Sequence, residues 1–186
     1  LLTHALQNKT KMESQNRDVA IIGGSVSGLA AADEFVDLEN ISEIRVFERQ
    51  EYDDKRVDCG EAINDATLVP LNKTSSNGFL NNLRGFQLRV YTGTDRSPDE
   101  EPLGVSDLKC DAGYICDRDT VEQQWAQQLS DSGVVFETGK SVTAGEYHDI
   151  TEEYDYIVDA TGQPSLTHKV KDEVPDYTGD MVALNA

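Results

Sequence analysis

Asp18 to Ile22 is a short, mostly β-branched apolar run that stops abruptly at Gly23-Gly24-Ser25-Val26-Ser27-Gly28. Beyond that bend the apolar residues change period: Leu29, Ala32, Phe35 and Val36 fall at helical spacing. Ile44-Arg45-Val46-Phe47 restarts a strand that ends on Glu48. The pattern predicts strand, tight turn, helix and strand, one βαβ unit.

The rest of the chain is less regular. Gln50 to Asp58 reads as a charged loop closing on Cys59-Gly60-Glu61-Ala62-Ile63, and Pro70 with the Asn72 to Gly78 cluster marks more irregular chain. Phe86, Leu88 and Val90 alternate with Gln87, Arg89 and Tyr91, which predicts a half-buried antiparallel strand. The acidic segment Asp95 to Pro102 is an expected exposed loop. Tyr114-Ile115-Cys116 predicts a strand leading into Asp117-Arg118-Asp119, with Asp119 and Glu122 as a capping pair for a helix through Ser130. Val121, Trp125 and Leu129 would be its buried stripe, and Gly133 its stop. Short strands are expected at Val134 to Phe136 and at Ser141 to Ala144. Tyr154 to Val158 reads as a parallel strand covered on both faces, ending at Asp159-Ala160-Thr161-Gly162.

Charge narrows the function. The 186 residues include 35 acidic and 16 basic side chains, a formal net charge of −19, so the chain repels a nucleic-acid backbone, and nucleic-acid binding is excluded. The acids run from Glu13 to Asp180 rather than gathering in a tail, which fits a solvated surface of the kind a halophilic host selects. Cys59, Cys110 and Cys116 are odd in number and lack C-x-x-C spacing, which speaks against a disulfide framework or zinc knuckle and fits a reducing, cytoplasmic setting. His4, His148 and His168 have no second ligand at metal spacing, so no metal is expected. No stretch approaches the roughly 18 apolar residues needed to span a bilayer, and residues 1–17 are expected to be a disordered N-terminal segment.

The glycine bend carries the candidate chemistry. Backbone amides at a helix N-terminus point at a pyrophosphate, and absent side chains let it approach. The pattern here is G-x-S-x-x-G, spanning Gly23, Gly24, Ser25, Ser27 and Gly28. Ser25 stands where a glycine normally permits closest approach, so either the phosphate sits farther out or the hydroxyl donates to it. Glu48 closes the second strand, where a carboxylate can accept both hydroxyls of an adenosine ribose; it disfavours a 2′-phosphate, though the adjacent Arg49 leaves room for one. FAD or NAD is the implied ligand.

Four segments occur in a telling order: Asp18 to Glu48, Cys59-Gly60-Glu61-Ala62-Ile63, Gly113 to Arg118 before a helix, and Tyr156 to Gly162. Together, over about Asp18 to Ser165, they resemble the FAD-binding portion of the geranylgeranyl reductase family, within the wider group of hydroxylase-like flavoproteins. The first and last segments are shared by many flavoproteins, whereas Cys59 to Ile63 looks like the C-G-[DE]-A-I stretch of archaeal reductases that saturate isoprenoid chains.

The resemblance implies an α/β fold: a Rossmann-like FAD-binding domain over 18–186, apparently truncated. Its parallel sheet would come from the segments near residues 18, 44, 113 and 154. An antiparallel insertion over 65–110 would begin the substrate side. It implies FAD as cofactor, held by the bend, Glu48, Arg49, Arg118, Asp159 and Gly162, with Cys59 and Glu61 as catalytic candidates near the flavin ring and the substrate double bond. An Arg ahead of a helix can set a rigid charged fork beside a diphosphate, but it can equally pair with Asp117 or Asp119. Cys59 can be reactive or a buried filler, and Glu61 a proton relay or an ordinary helix-start acid. The implied activity is reduction of carbon–carbon double bonds in an isoprenoid lipid, with an electron donor of unknown kind and peripheral membrane contact through the missing part. The alternatives are an aromatic or polyketide monooxygenase, and a catalytically incomplete nucleotide-binding fragment or subunit.

Overall fold

The computed structural model describes residues 16–57, 61–91 and 101–173. The chain divides into two units, one made of residues up to Arg56 together with those from Glu122 on, the other of Val57–Val121.

The first unit is a parallel sheet of β1 (Arg17–Ile22), β2 (Ile41–Phe47), β6 (Val135–Glu137) and β7 (Tyr156–Asp159), in the order β6-β2-β1-β7. The central place of β1 explains why its sequence is apolar from Val19 on: Val19, Ala20 and Ile21 are wholly buried, because a central parallel strand is covered on both faces. Alternation assigns the faces. A Cβ built on Gly28 of α1 (Val26–Val36) would lie 3.3 Å from Ile21, so α1 covers the Val19/Ile21 face. Ala20 and Ile22 turn to the other face, where they pack with Phe47 and with Tyr147, Ile150 and Tyr154 at and just beyond α3 (Ala144–Glu153).

The second unit is an antiparallel sheet in the order β3-β5-β4, from β3 (Ala62–Ile63), β4 (Phe79–Val90) and β5 (Gly104–Cys116). Phe86, Leu88 and Val90 alternate as expected, but they lie on an exposed face of the β4–β5 ribbon, each about half exposed. Lys73 secures the chain ahead of β4 by donating to the carbonyls of Val69 and Leu71, both at 2.6 Å, with its ammonium over the Phe79 ring. α2 (Arg118–Asp131) and α4 (Leu166–Lys171) are the other α-helices among the described residues.

Three sequence expectations are corrected. The strand at residues 113–116 belongs to the antiparallel sheet, and β6 takes the place expected for it in the parallel one. Ser141 to Ala144 is no strand but the lead-in to α3, which opens at Ala144 because Thr143 and Glu146 form a reciprocal capping box that nucleates a helix there. Asp119 and Glu122 do not cap α2. Thr120 donates from both its amide and its hydroxyl to Asp117, while Asp119 accepts the Val57 amide at 2.8 Å. The expected loop at 95–102 lies largely outside the described residues. Among the described residues, no helix is long and apolar enough to cross a membrane.

Candidate functional site

The C-terminal ends of β1, β2 and β7 converge on one bend, and local chemistry explains why. Gly23 has φ +105°, a conformation that L side chains rarely adopt, and a Cβ there would sit 2.5 Å from the Ala160 carbonyl oxygen at the end of β7. Gly28 is tighter still, since its Cβ would lie 1.8 Å from the Gly23 carbonyl oxygen. The first and last glycines therefore let strand, bend and helix close on one another. The Gly23 amide donates to Phe47 and the Ala160 amide to Ile22, which ties the three strand ends together.

Helix α1 starts at this bend. Ser25 is its N-cap residue but makes no side-chain cap, and the first turn holds no acidic residue. This end of the helix carries the positive dipole that attracts an anion.

Glu48 points at the bend. Its Oε2 accepts the Gly24 amide at 2.8 Å and its Oε1 accepts the Gln50 amide at 3.0 Å. Burial pushes this carboxyl up, but the Gln50 amide, the Lys55 ammonium and the Gly24 amide outweigh it and hold the group below the usual carboxylate range.

Three residues that sequence reasoning missed surround Glu48. Lys55, 4% exposed, lies 3.0 Å from Glu48 Oε2 and 3.1 Å from Glu122 Oε2, and donates to the Gly24 carbonyl at 3.1 Å. Tyr52 donates to that same carbonyl at 2.6 Å, its phenol pushed up by burial and by the negative charge of Glu48 and Glu122. Glu122, wholly buried, accepts the Ser25 hydroxyl at 2.7 Å. The hydroxyl of Ser25 therefore does reach an anion, but one belonging to the protein. Beside Tyr52 opens a cavity of about 340 Å³ lined by Asp53, Gln123, Gln127 and Phe136, among others.

Asp159 is engaged locally. Its Oδ1 accepts the Thr161 amide and hydroxyl at 3.1 and 2.6 Å, and its Oδ2 accepts the Thr167 amide at 2.5 Å. Burial opposes its ionisation, yet these Thr161 and Thr167 bonds push it down to about 2. It shapes the turn that carries Gly162, whose φ is +90° and whose Cβ position is open. Ser27 and Arg49 are exposed.

Cys59 lies outside the described residues. Glu61 and Arg118 belong to the second unit. Glu61 adopts a left-handed conformation (φ +56°), and its carbonyl accepts the Cys116 amide at 2.7 Å. The buried Cys116 thiol is pushed up by burial and by the charge of Glu61.

No family model matches the chain, and no curated protein matches it. Solved structures do. Halogenase PltM in complex with phloroglucinol and FAD aligns at a TM-score of 0.57 and 13% identity, covering 84% of this chain and 36% of that one. A point mutant of that halogenase in complex with FAD aligns at 0.58 and 14%, covering 85% and 36%. A geranylgeranyl bacteriochlorophyll reductase-like protein from Thermoplasma acidophilum reaches only 0.44 at 19% identity, over 68% of this chain and 30% of that one. The chain thus spans about a third of the length of these structures. The two halogenase alignments establish the fold: a Rossmann-like α/β architecture with a separate antiparallel sheet.

Proposed function

We propose that this chain is the nucleotide-binding part of a flavin-dependent oxidoreductase, with the ADP half of FAD lying across Gly23 to Gly28 and its ribose on Glu48. The observation that carries the reading is the aim of Glu48, whose carboxylate meets the Gly24 amide at 2.8 Å beside a helix start whose N-cap residue, Ser25, makes no side-chain cap. The donor set fits the group: helix-start amides and the Ser25 hydroxyl for a diphosphate, and a carboxylate for a sugar diol. The fold shared with the FAD-holding halogenase is consistent with it. Ser25 and the α1 amides would hold the diphosphate, Glu48 the ribose, and the Asp159 turn would shape the wall beside Gly23.

When bound, the flavin supplies hydride-transfer chemistry at its N5. We assign the reaction to reduction of carbon–carbon double bonds in an isoprenoid chain, on the Cys59-Gly60-Glu61-Ala62-Ile63 resemblance, with Cys59 and Glu61 beside the substrate. The protein's part is orientation and exclusion of water. Titration with FAD tests the cofactor reading: binding perturbs the flavin absorbance and Glu48→Ala weakens it, whereas an unperturbed spectrum overturns the reading. On the full-length gene product, saturation of a prenyl lipid without oxygen consumption supports the reductase. Oxygen uptake with hydroxylated or halogenated product replaces it with an oxygen-activating enzyme.

A further inference from the structure

The glycine bend already carries an anion. Glu122 places Oε1 2.7 Å from the hydroxyl of Ser25, the residue that opens α1, at the helix end where amides and dipole favour negative charge. Lys55 joins Glu122 to Glu48, at 3.1 and 3.0 Å, and all three side chains are at most 5% exposed. These groups match a nucleoside diphosphate part for part. A carboxylate lies on Ser25 where a phosphate would lie, and an ammonium lies on Glu48 where sugar hydroxyls would lie. With two carboxylates and one ammonium, the cluster has a formal charge of −1, and a phosphate brought to Ser25 while Glu122 is still on it would meet a carboxylate at contact distance in a buried setting.

We infer that a nucleoside diphosphate enters this bend by exchange: its phosphates displace Glu122 from Ser25, its ribose displaces Lys55 from Glu48, and Lys55 and Glu122 withdraw as an ion pair. Leaving together is what makes the exchange feasible, because neither displaced group is left as an unpaired buried charge. Glu122 is then an internal competitor for the anion seat and sets the affinity of the site. The inference rests on the dinucleotide reading above and adds a determinant to it.

The test uses ADP as the probe and Trp125 as the reporter. Trp125 is the chain's only tryptophan, three residues along α2 from Glu122 and 1% exposed. Under exchange, ADP changes the Trp125 emission of the wild type, and Glu122→Gln binds ADP roughly tenfold tighter. Glu122→Asp keeps a charge for Lys55 but is one methylene too short for Ser25; it also binds tighter, and it serves if the Gln variant does not fold. Glu152→Gln, an exposed carboxylate on α3, controls for net charge and leaves the affinity unchanged. Equal ADP affinity in wild type and Glu122 variants, or an equal gain in Glu152→Gln, overturns the exchange while the dinucleotide reading stands. Failure of every variant and of the wild type to bind either ADP or FAD overturns both.

Discussion

Lys55 Nζ stands 3.0 Å from Glu48 Oε2 with both side chains about 95% buried, so this ion pair has no solvent to fall back on. Removing one partner of such a pair costs about 3–5 kcal/mol, because the other is left charged in a poor dielectric. Lys55→Met strands two carboxylates and is expected to lose about that much, read as a lower urea midpoint at unchanged slope. The double variant Lys55→Met, Glu122→Gln should recover part of the loss, and strictly additive effects would show that Lys55 and Glu122 do not interact.

Acid sensitivity follows from Asp159. Its carboxyl is pushed from 3.8 down to about 2 in the folded protein, despite burial, by bonds from Thr161 and Thr167. A depressed carboxyl contributes stability that is complete above its unfolded value and is lost as pH falls through its folded one. Asp159→Asn should therefore be less stable than wild type near neutrality, with the gap shrinking from about pH 4 towards pH 2. Glu48, also held below its ordinary range, loses its contribution in the same direction. A gap that stays constant down to pH 2 would remove Asp159 from the acid limb.

Thr143 gives a prediction that also shows where the sequence is hard to read. The capping box pairs its side chain with the Glu146 amide and the Glu146 carboxylate with the Thr143 amide. Thr143→Ala should cost about 1 kcal/mol, measured by chemical denaturation, and Glu146→Gln less. A loss near zero would mean that packing of Tyr147 and Ile150 holds the helix start without the box.

That helix is visible in the chain only through Thr143 and Glu146, because its apolar positions are few and sit beside a strand-like Val142. The unit from Arg17 to Phe47 is legible for the opposite reason: the apolar period changes from strand to helix and back within some thirty residues, with glycines marking the bend. The strand ending at Cys116 is also legible as a strand, but a short apolar run carries no information about its partner, and it pairs with Phe79–Val90 instead of joining the parallel sheet. In the candidate site, the glycines and Glu48 announce themselves by spacing. Lys55 and Glu122 do not, because an ion pair formed by chain closure has no periodicity.

The two glycines Gly24 and Gly28 resemble one another in sequence but should respond differently to the same substitution. A Cβ on Gly24 would meet the Tyr52 hydroxyl at 2.5 Å, the far end of a side chain that can swing, and Glu48 Cβ at 2.9 Å. A Cβ on Gly28 would meet the Gly23 carbonyl oxygen at 1.8 Å, and that backbone is held by the Gly23 amide's bond to Phe47. Nothing there can yield without opening the bend. Gly28→Ala is therefore expected to lose about 3 kcal/mol or more, at the upper end of overpacking, and to abolish ADP binding with it. Gly24→Ala should cost about 1–2 kcal/mol by displacing Tyr52 and pushing back Glu48, with ADP binding weakened but not abolished. Thermal unfolding of both variants with and without ADP separates these outcomes. If Gly28→Ala proves the milder of the two, the bend does not close on its last glycine, and the seat assigned to the diphosphate loses its geometric basis.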